Sequence, residues 1–338
     1  MVDRKVAVLR ADASGLIGVG HVMRSLALGE ALLDAGFDVV LASVDLPTGM
    51  REEAHKCGIT VVDLHCVPFG PDDALATLAL NGAVLVIDGY MFEREFFEIL
   101  ENGSNSFVII DDNVETKALA PSVVINQNPH ATPEMYVHLS GNPKLLLGLQ
   151  YALLRREVRE ATKQLINPVA GKVFVAMGGS DFLKLTSPIV RGLKDLEIEL
   201  CVAVGPTNSQ RKQIEESVKL ISRARVIRQA DYIKELASSS LAILAAGSSL
   251  WESAALGVPS IGLIVADNQI GASVGAEHCG ISLSLDVRSG LHKESIVSNV
   301  ENLLTMTNGV LAKMATATRS EVDEFGSMRV LQAIIQSI

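Results

Sequence analysis

Lys5-Val-Ala-Val-Leu9, running straight into Arg10-Ala-Asp-Ala-Ser-Gly-Leu-Ile-Gly-Val-Gly-His-Val-Met-Arg24, is the stretch that decides the fold. The apolar run reads as a buried strand. From Val22 to Gly36 the apolar residues Val22, Leu26 and Leu33 recur at helical spacing. What lies between is a strand–loop–helix junction. Gly15, Gly18 and Gly20 let the backbone approach a ligand, and the helix N-terminus offers unpaired N–H groups to a phosphate. His21 stands where loop becomes helix, a place suited to a general base. The same residues also fit a plain glycine turn with His21 capping the helix. Two common fingerprints are not met. Met23 stands where G-x-G-x-x-G needs its last glycine, and His21-Val22 stands where a P-loop needs Lys and Ser or Thr.

Around this stretch, 338 residues suit two domains of about 150–170 residues each. A hydrophobic content of 48% is enough for two cores. The net charge of −10, with no compensating basic run, argues against nucleic acid as a partner. Cys57, Cys66, Cys201 and Cys279 are scattered and form no C-x-x-C pair, as expected of reduced thiols rather than a zinc or redox motif. The run from Val6 to Leu9 is too short for a signal-peptide core, and no apolar stretch reaches the length of a membrane span. The expectation is a soluble cytoplasmic protein.

Strand-like and helix-like segments alternate throughout. Strands are predicted at Val6–Arg10, Val39–Ser43, Thr60–Leu64, Val84–Asp88, Phe107–Asp111 and Val123–Asn126. A second series falls at Val173–Met177, Glu199–Val204, Arg225–Ile227, Leu241–Ala245, Ser260–Ile264 and Ile281–Leu285. Helices are predicted between many of them, such as Phe92–Leu100, Leu183–Leu193 and Leu250–Leu256. Continuous apolar strands separated by helices mean a parallel sheet covered on both faces. Both halves open alike, Lys5-Val-Ala-Val before one glycine loop and Lys172-Val-Phe-Val-Ala-Met before Gly178-Gly-Ser-Asp181. The fold class expected is α/β, two doubly wound Rossmann-like domains facing across a cleft. The expected division is residues 1–157, residues 158–318, and a C-terminal helix over 319–338 that can pack back on the first domain.

In such sheets ligands bind at the carboxyl ends of the strands. The polar loops there are Asp88-Gly-Tyr90, Asp111-Asp-Asn113 and Asn126-Gln-Asn128, each of which also reads as an ordinary turn. In the second half, Ala245-Ala-Gly-Ser-Ser-Leu-Trp-Glu252 is a strand end, a small-residue turn and a helix start. Ser248 and Ser249 can cap that helix while its first N–H groups hold a diphosphate, and Glu252 can accept two ribose hydroxyls. Alternatively the serines only cap and Glu252 only offsets the helix dipole. Asn268 and Gln269 can bind sugar hydroxyls or cap the next helix. Asp111 and Asp112 are adjacent, so in a strand their side chains point apart, and no spacing demands a metal.

Taken in order, these motifs resemble the UDP-sugar hydrolases of pseudaminic acid synthesis, which act on UDP-2,4-diacetamido-2,4,6-trideoxy-β-L-altropyranose, and the related spore-coat polysaccharide proteins. The signature is Arg-x-Asp-x-Ser…Ile-Gly-x-Gly-His-Val-x-Arg at Arg10–Arg24. It continues through Asp88-Gly-Tyr90, Asp111-Asp112, Ile125-Asn-Gln-Asn128, Gly148-x-x-Tyr-x-Leu-Leu-Arg155, Gly178-Gly-Ser-Asp181, Gly247-Ser-x-x-Trp-Glu252 and Asn268-Gln269. The chain departs from that pattern at Ser25, where the family has Cys, and at Glu324, where it has Gly. The family is in turn similar to the GT-B nucleotide-sugar transferases, whose second domain holds UDP and whose first supplies the base. The resemblance implies His21 as base. It implies Ser248, Ser249 and Glu252 at the diphosphate and ribose, and Tyr232-Ile233 at the uracil.

With the loop positions, the substrate-binding residues expected in the first domain are Arg10, Asp12, Gly18, Gly20, Arg24, Tyr90, Asn126 and Asn128. In the second they are Gly178, Gly179, Ser180, Tyr232, Ile233, Gly247, Ser248, Ser249, Glu252, Asn268 and Gln269. The activity expected is hydrolysis of a UDP-sugar at its anomeric carbon, without cofactor or metal. A glycosyltransferase using the same cradle, and a binding protein without turnover, are the alternatives.

Overall fold

Runs of apolar residues that must be covered on both sides build one parallel sheet in each half of the chain. A computed structural model describes residues 4–14, 17–103, 106–114, 116–164, 166–205, 208–305 and 309–338. Two units divide it, residues 1–156 with 325–338, and residues 157–324.

The first unit holds β1 (Val6–Ala11), β2 (Asp38–Ser43), β3 (Thr60–Asp63), β4 (Val84–Asp88), β5 (Phe107–Ile110), β6 (Val123–Asn126) and β7 (Lys144–Leu147). Their order across the sheet is β3-β2-β1-β4-β5-β6-β7, every pair parallel. Side chains alternate between the faces. Ala7 and Leu9 of β1 and Val84 and Val86 of β4 join one buried cluster with Val22, Leu26 and Leu32 of the first helix, Gly20–Asp34. Val8, Leu85 and Ile87 join the other, with Phe92, Phe96 and Phe97. Full burial on both faces is why these strands read as continuous apolar runs.

The second unit repeats the plan with β8 (Val169–Ala176), β9 (Glu199–Ala203), β10 (Ala224–Val226), β11 (Ser239–Ala245), β12 (Ser260–Ile264) and β13 (Ser282–Asp286), in the order β10-β9-β8-β11-β12-β13. In each sheet the order reverses beside the opening strand, between β1 and β4 and between β8 and β11. Connections leave these two strands in opposite directions, so a crevice opens past their carboxyl ends.

Strand β7 is absent from the sequence reading. Lys-Leu-Leu-Leu is short, lies at the sheet edge and carries no alternation to mark it. The helices Thr48–Lys56 and Pro71–Leu78 are likewise absent from the sequence reading. Among the described residues no helix is long and apolar enough to cross a membrane.

The last helix, Gly326–Ser337, belongs to the first unit and places Val330 and Ile334 in the same buried cluster as Leu9 and Leu26. It seats against the segment that leads out of that unit. Arg329 donates to the Gln150 carbonyl at 2.8 Å, Gln127 Oε1 accepts the Leu153 N–H at 2.9 Å, and Glu30 Oε2 accepts the Arg156 N–H at 2.6 Å. A Cβ on Gly326 would lie 2.2 Å from the Ala152 carbonyl oxygen, so only glycine allows this approach. Gly326→Ala is expected to cost about 1–3 kcal/mol of stability, the usual penalty of forced overpacking. Urea unfolding checks this, and an unchanged midpoint would show that the helix is free to shift.

Candidate active site

The crevice past β1 and β4 gathers charges that lie far apart in sequence. Leaving β1, the chain turns at Gly18, whose φ of +80° is the left-handed conformation that glycine adopts at least cost, and enters the first helix at Gly20. A Cβ on Gly20 would meet nothing within 4 Å, so this glycine leaves open space rather than room for packing. Gly15 lies outside the described residues.

His21 and Arg24 share the first turns of that helix, and both reach Asp88 at the end of β4. His21 Nδ1 lies 2.6 Å from Asp88 Oδ1. Arg24 donates to the same carboxylate from Nε at 2.7 Å and from Nη2 at 2.6 Å. It also donates from Nη1 to both oxygens of Asp112, at 2.8 and 2.6 Å. A carboxylate only accepts hydrogen bonds, so the proton between His21 and Asp88 sits on Nδ1. The lone pair therefore lies on Nε2, which has no hydrogen-bond partner among the described residues. Tyr90 meets the His21 ring edge to face at 4.5 Å between centroids and donates its hydroxyl to Asp112. Asn128 donates to Asp112 Oδ1 at 2.8 Å, and Asn126 to the Asp112 main-chain carbonyl at 3.1 Å. Ser25 points its hydroxyl at Asp88 from 3.4 Å.

These groups are nearly enclosed, and the enclosure sets their ionisation. Burial pushes the Asp112 carboxyl up, but Arg24 and the Tyr90 hydroxyl overcome it and hold the group down at about 2. Asp88 is lowered too, its burial outweighed by Arg24 and His21. Burial works against the Arg24 charge as well, yet the two carboxylates raise its pKa well above the ordinary arginine value. At neutral pH the centre is one arginine between two carboxylates, with the imidazole hung from one of them.

Arg10 and Asp12 are not brought to this surface. Arg10 is 0% exposed and donates to Asp73 from Nε at 2.7 Å and from Nη2 at 2.5 Å, with Asp12 2.8 Å from Nη2. Asp12 accepts from the Ser43 hydroxyl and from the Val44 and Asp45 N–H groups. Both residues are enclosed by their partners and fix the exit of β1. Asp88 and Asp112, which complete the site, were visible only as polar loop residues. Strand β5 ends at Ile110, not Asp111, so the alternation that would separate Asp111 from Asp112 does not apply. Asp112 turns to Arg24, while Asp111 acts on the Tyr136 hydroxyl.

In the second unit the corresponding crevice lies past β8 and β11. Gly178, Gly179 and Ser180 follow β8, in a loop tied down by Asp181, which accepts the Leu185 and Thr186 N–H groups. Gly247, Ser248 and Ser249 follow β11. Neither serine caps the helix Ser249–Ala255: Ser248 makes no side-chain cap bond, and Ser249 turns its hydroxyl back to the Ala245 carbonyl at 3.3 Å. Glu252 lies in the first turn of this helix, partly exposed. Tyr232 opens the helix Tyr232–Ala237 and packs edge to face on Phe174, and Ile233 is buried. Gln269 accepts the Val265 N–H at 2.9 Å and so closes the turn after β12, with Asn268 beside it. Among the described residues no group of His, Cys, Asp and Glu side chains is placed to hold a metal ion.

Because the Asp112 pKa is depressed, its contribution to stability is complete above the unfolded value near 4 and is lost as pH falls towards about 2. Asp112→Asn is expected to cost about 3–5 kcal/mol at pH 7, since it strips a buried arginine of one partner. That cost should shrink as the pH falls from about 4 to about 2. Urea midpoints of both proteins across this range test it, and a constant gap between them would refute it.

No protein-family model matches the chain. In sequence it is similar to the UDP-2,4-diacetamido-2,4,6-trideoxy-beta-L-altropyranose hydrolase of Campylobacter jejuni, 23% identical over 74% of this chain and 87% of that protein. It is similar to the spore coat polysaccharide biosynthesis protein SpsG of Bacillus subtilis, 20% identical over 97% of both. In structure it is similar to MurG of Acinetobacter baumannii, with a TM-score of 0.67 over 98% of this chain and 99% of that one, at 17% identity. The fold is that of the GT-B glycosyltransferases, two doubly wound Rossmann-like α/β units, and the sequence resembles that of the UDP-sugar hydrolases.

Proposed function

We propose that this chain hydrolyses a UDP-linked amino or deoxy sugar at the anomeric carbon, with inversion, and that His21 is the general base. The observation that carries this reading is the Asp88–His21 pair. Asp88 fixes the ring by its Nδ1 proton and leaves the Nε2 lone pair without a partner among the described residues. Water held at Nε2 gives up a proton as its oxygen bonds to C1. The C1–O bond breaks, its electron pair leaves with UDP, and Asp88 stabilises the imidazolium until the proton passes to solvent. Arg24, tied to both carboxylates, holds Asp88 in place, and Tyr90 limits how far the ring can swing.

The nucleotide belongs at the crevice past β8 and β11. Gly178, Gly179, Ser180, Gly247, Ser248 and Ser249 would line the diphosphate, and the Ser248 hydroxyl, which makes no cap bond to its own helix, supports that use. Glu252 would accept the ribose hydroxyls, Tyr232 and Ile233 would flank the uracil, and Asn268 and Gln269 would meet sugar hydroxyls. Names of relatives in sequence support hydrolysis. Glycosyltransferases among the similar structures support a second reading, in which an acceptor hydroxyl replaces water. UDP release from UDP-sugars with and without added acceptors separates the two.

His21→Asn should leave folding and UDP binding intact and slow turnover by about 10²–10⁴, the usual worth of a positioned base. In ¹⁸O-labelled water the label should appear on the sugar. Label on UDP would mean attack at phosphorus and end this mechanism. Glu252→Ala should weaken UDP binding by about 1–3 kcal/mol, and unchanged calorimetric affinity would remove Glu252 from the site.

A further inference from the structure

Three neighbouring strands of the second unit run out into glycine, and one of these glycines plays no part in the reading above. Ala176 of β8 pairs with Ala203 of β9 on one side and with Leu244 of β11 on the other. Past that register Gly178 runs beside Gly205, and Gly247 follows the third strand. The glycines face different surroundings. A Cβ on Gly178 or Gly247 would meet nothing within 4 Å. A Cβ on Gly205 would lie 2.5 Å from the Gly178 carbonyl oxygen and 2.6 Å from the Gly179 carbonyl carbon, with the Gly179 oxygen nearer still. Both neighbours are main chain, so neither can swing aside as a side chain could.

We propose that Gly205 is a positioning residue for the nucleotide: it is the floor on which the loop 178–180 rests, and its missing side chain sets how deep that loop sits. The proposal rests on the assignment of the diphosphate to this loop. Both sides of the contact are held. The loop is fixed behind by β8 and ahead by Asp181, whose carboxylate accepts the Leu185 and Thr186 N–H groups and the Thr186 hydroxyl. Asp181 has a φ of +46° and Lys184 one of +58°, the left-handed region that is costly for a residue with a side chain. On the other side Gly205 follows Val204, which is buried in the core of the unit, and its carbonyl accepts the Asn208 N–H at 3.2 Å. Carbon atoms pack at about 3.5–4.0 Å, so a methyl on Gly205 parts the two chains by roughly 1 Å. The loop gives way towards the side where Gly178 faces open space, which is where the diphosphate would lie.

Calorimetry with UDP and ligand-detected NMR with uridine test this on the full chain. UDP carries the diphosphate and uridine does not. Gly205→Ala should therefore bind UDP about 10–100-fold more weakly, the worth of one hydrogen bond to a charged group, and bind uridine as the wild type does. Gly171→Ala puts a methyl on a glycine with a φ of +71° near the start of β8, at the opposite end of the strand from the loop, and should leave both affinities unchanged. Without ligand, hydrogen exchange of residues 177–182 should be faster in Gly205→Ala than in the wild type and unaltered in Gly171→Ala. Unchanged UDP binding or unchanged loop exchange in Gly205→Ala, or an equal loss of UDP and uridine, would overturn the proposal. A wild type that binds no UDP would instead remove the nucleotide from this crevice, and the role of Gly205 with it. Should Gly205→Ala not fold, exchange in the wild type decides. UDP should then slow residues 203–205 together with 177–182, and protection confined to 177–182 would refute the coupling.

Discussion

A guanidinium taken out of water costs several kcal/mol unless its charge and its donors are all met. Arg24 is in that position, 6% exposed between a strand end and a helix start. The carboxylate of Asp88 takes two of its N–H groups and that of Asp112 takes another. Once those carboxylates are fixed, the rest follows. Asp88 has a corner left for one imidazole N–H, and Asp112 has room for a phenol and an amide. The tautomer of His21, the tilt of Tyr90 and the path of the turn after β6 are thus consequences of meeting one buried positive charge.

The two units apply the same sheet order to different ends. Past β1 and β4 the crevice is lined by ionised side chains that hold one another. Past β8 and β11 it is lined by glycines, serines and main-chain N–H groups, with Glu252 the acidic group in the first turn of its helix. Paired carboxylates suit proton transfer, because they fix a base and balance the charge it acquires. Small residues and N–H groups suit an anion, because they let its oxygens approach the backbone. The contrast supports assigning the two tasks to different halves of the chain.

Much of this was legible in the sequence because buried parallel strands announce themselves. The residues 6–9 and 84–87 are apolar on both faces of the sheet, and the glycine loop with His21 follows the first of these runs. Partners were not legible, since pairing is a property of the folded sheet. His21 and Asp88 are 67 residues apart, Arg24 and Asp112 are 88 apart, and nothing local in Asp88-Gly-Tyr90 says that it faces His21. The same limit explains Arg10, whose place in a motif suggested a ligand and whose surroundings, Asp73 and Asp12, enclose it. Edge strand β7 was missed for the opposite reason, as its exposed Lys144 removes the burial that marks the others.

The route of the chain between the units bears on how it is made. Residues 157–324 are continuous, whereas the first unit needs 325–338 to cover its sheet and to seat Gly326 against Ala152. Domains ordinarily fold in the order in which they leave the ribosome. Here the unit synthesised second is the one that can finish first. The half carrying His21 and Arg24 waits, with the first helix and β6 uncovered where the last helix packs on them, until that helix has emerged. A chain stalled before residue 325 would thus hold a complete second unit and an unfinished first one, so the machinery around His21 is assembled last.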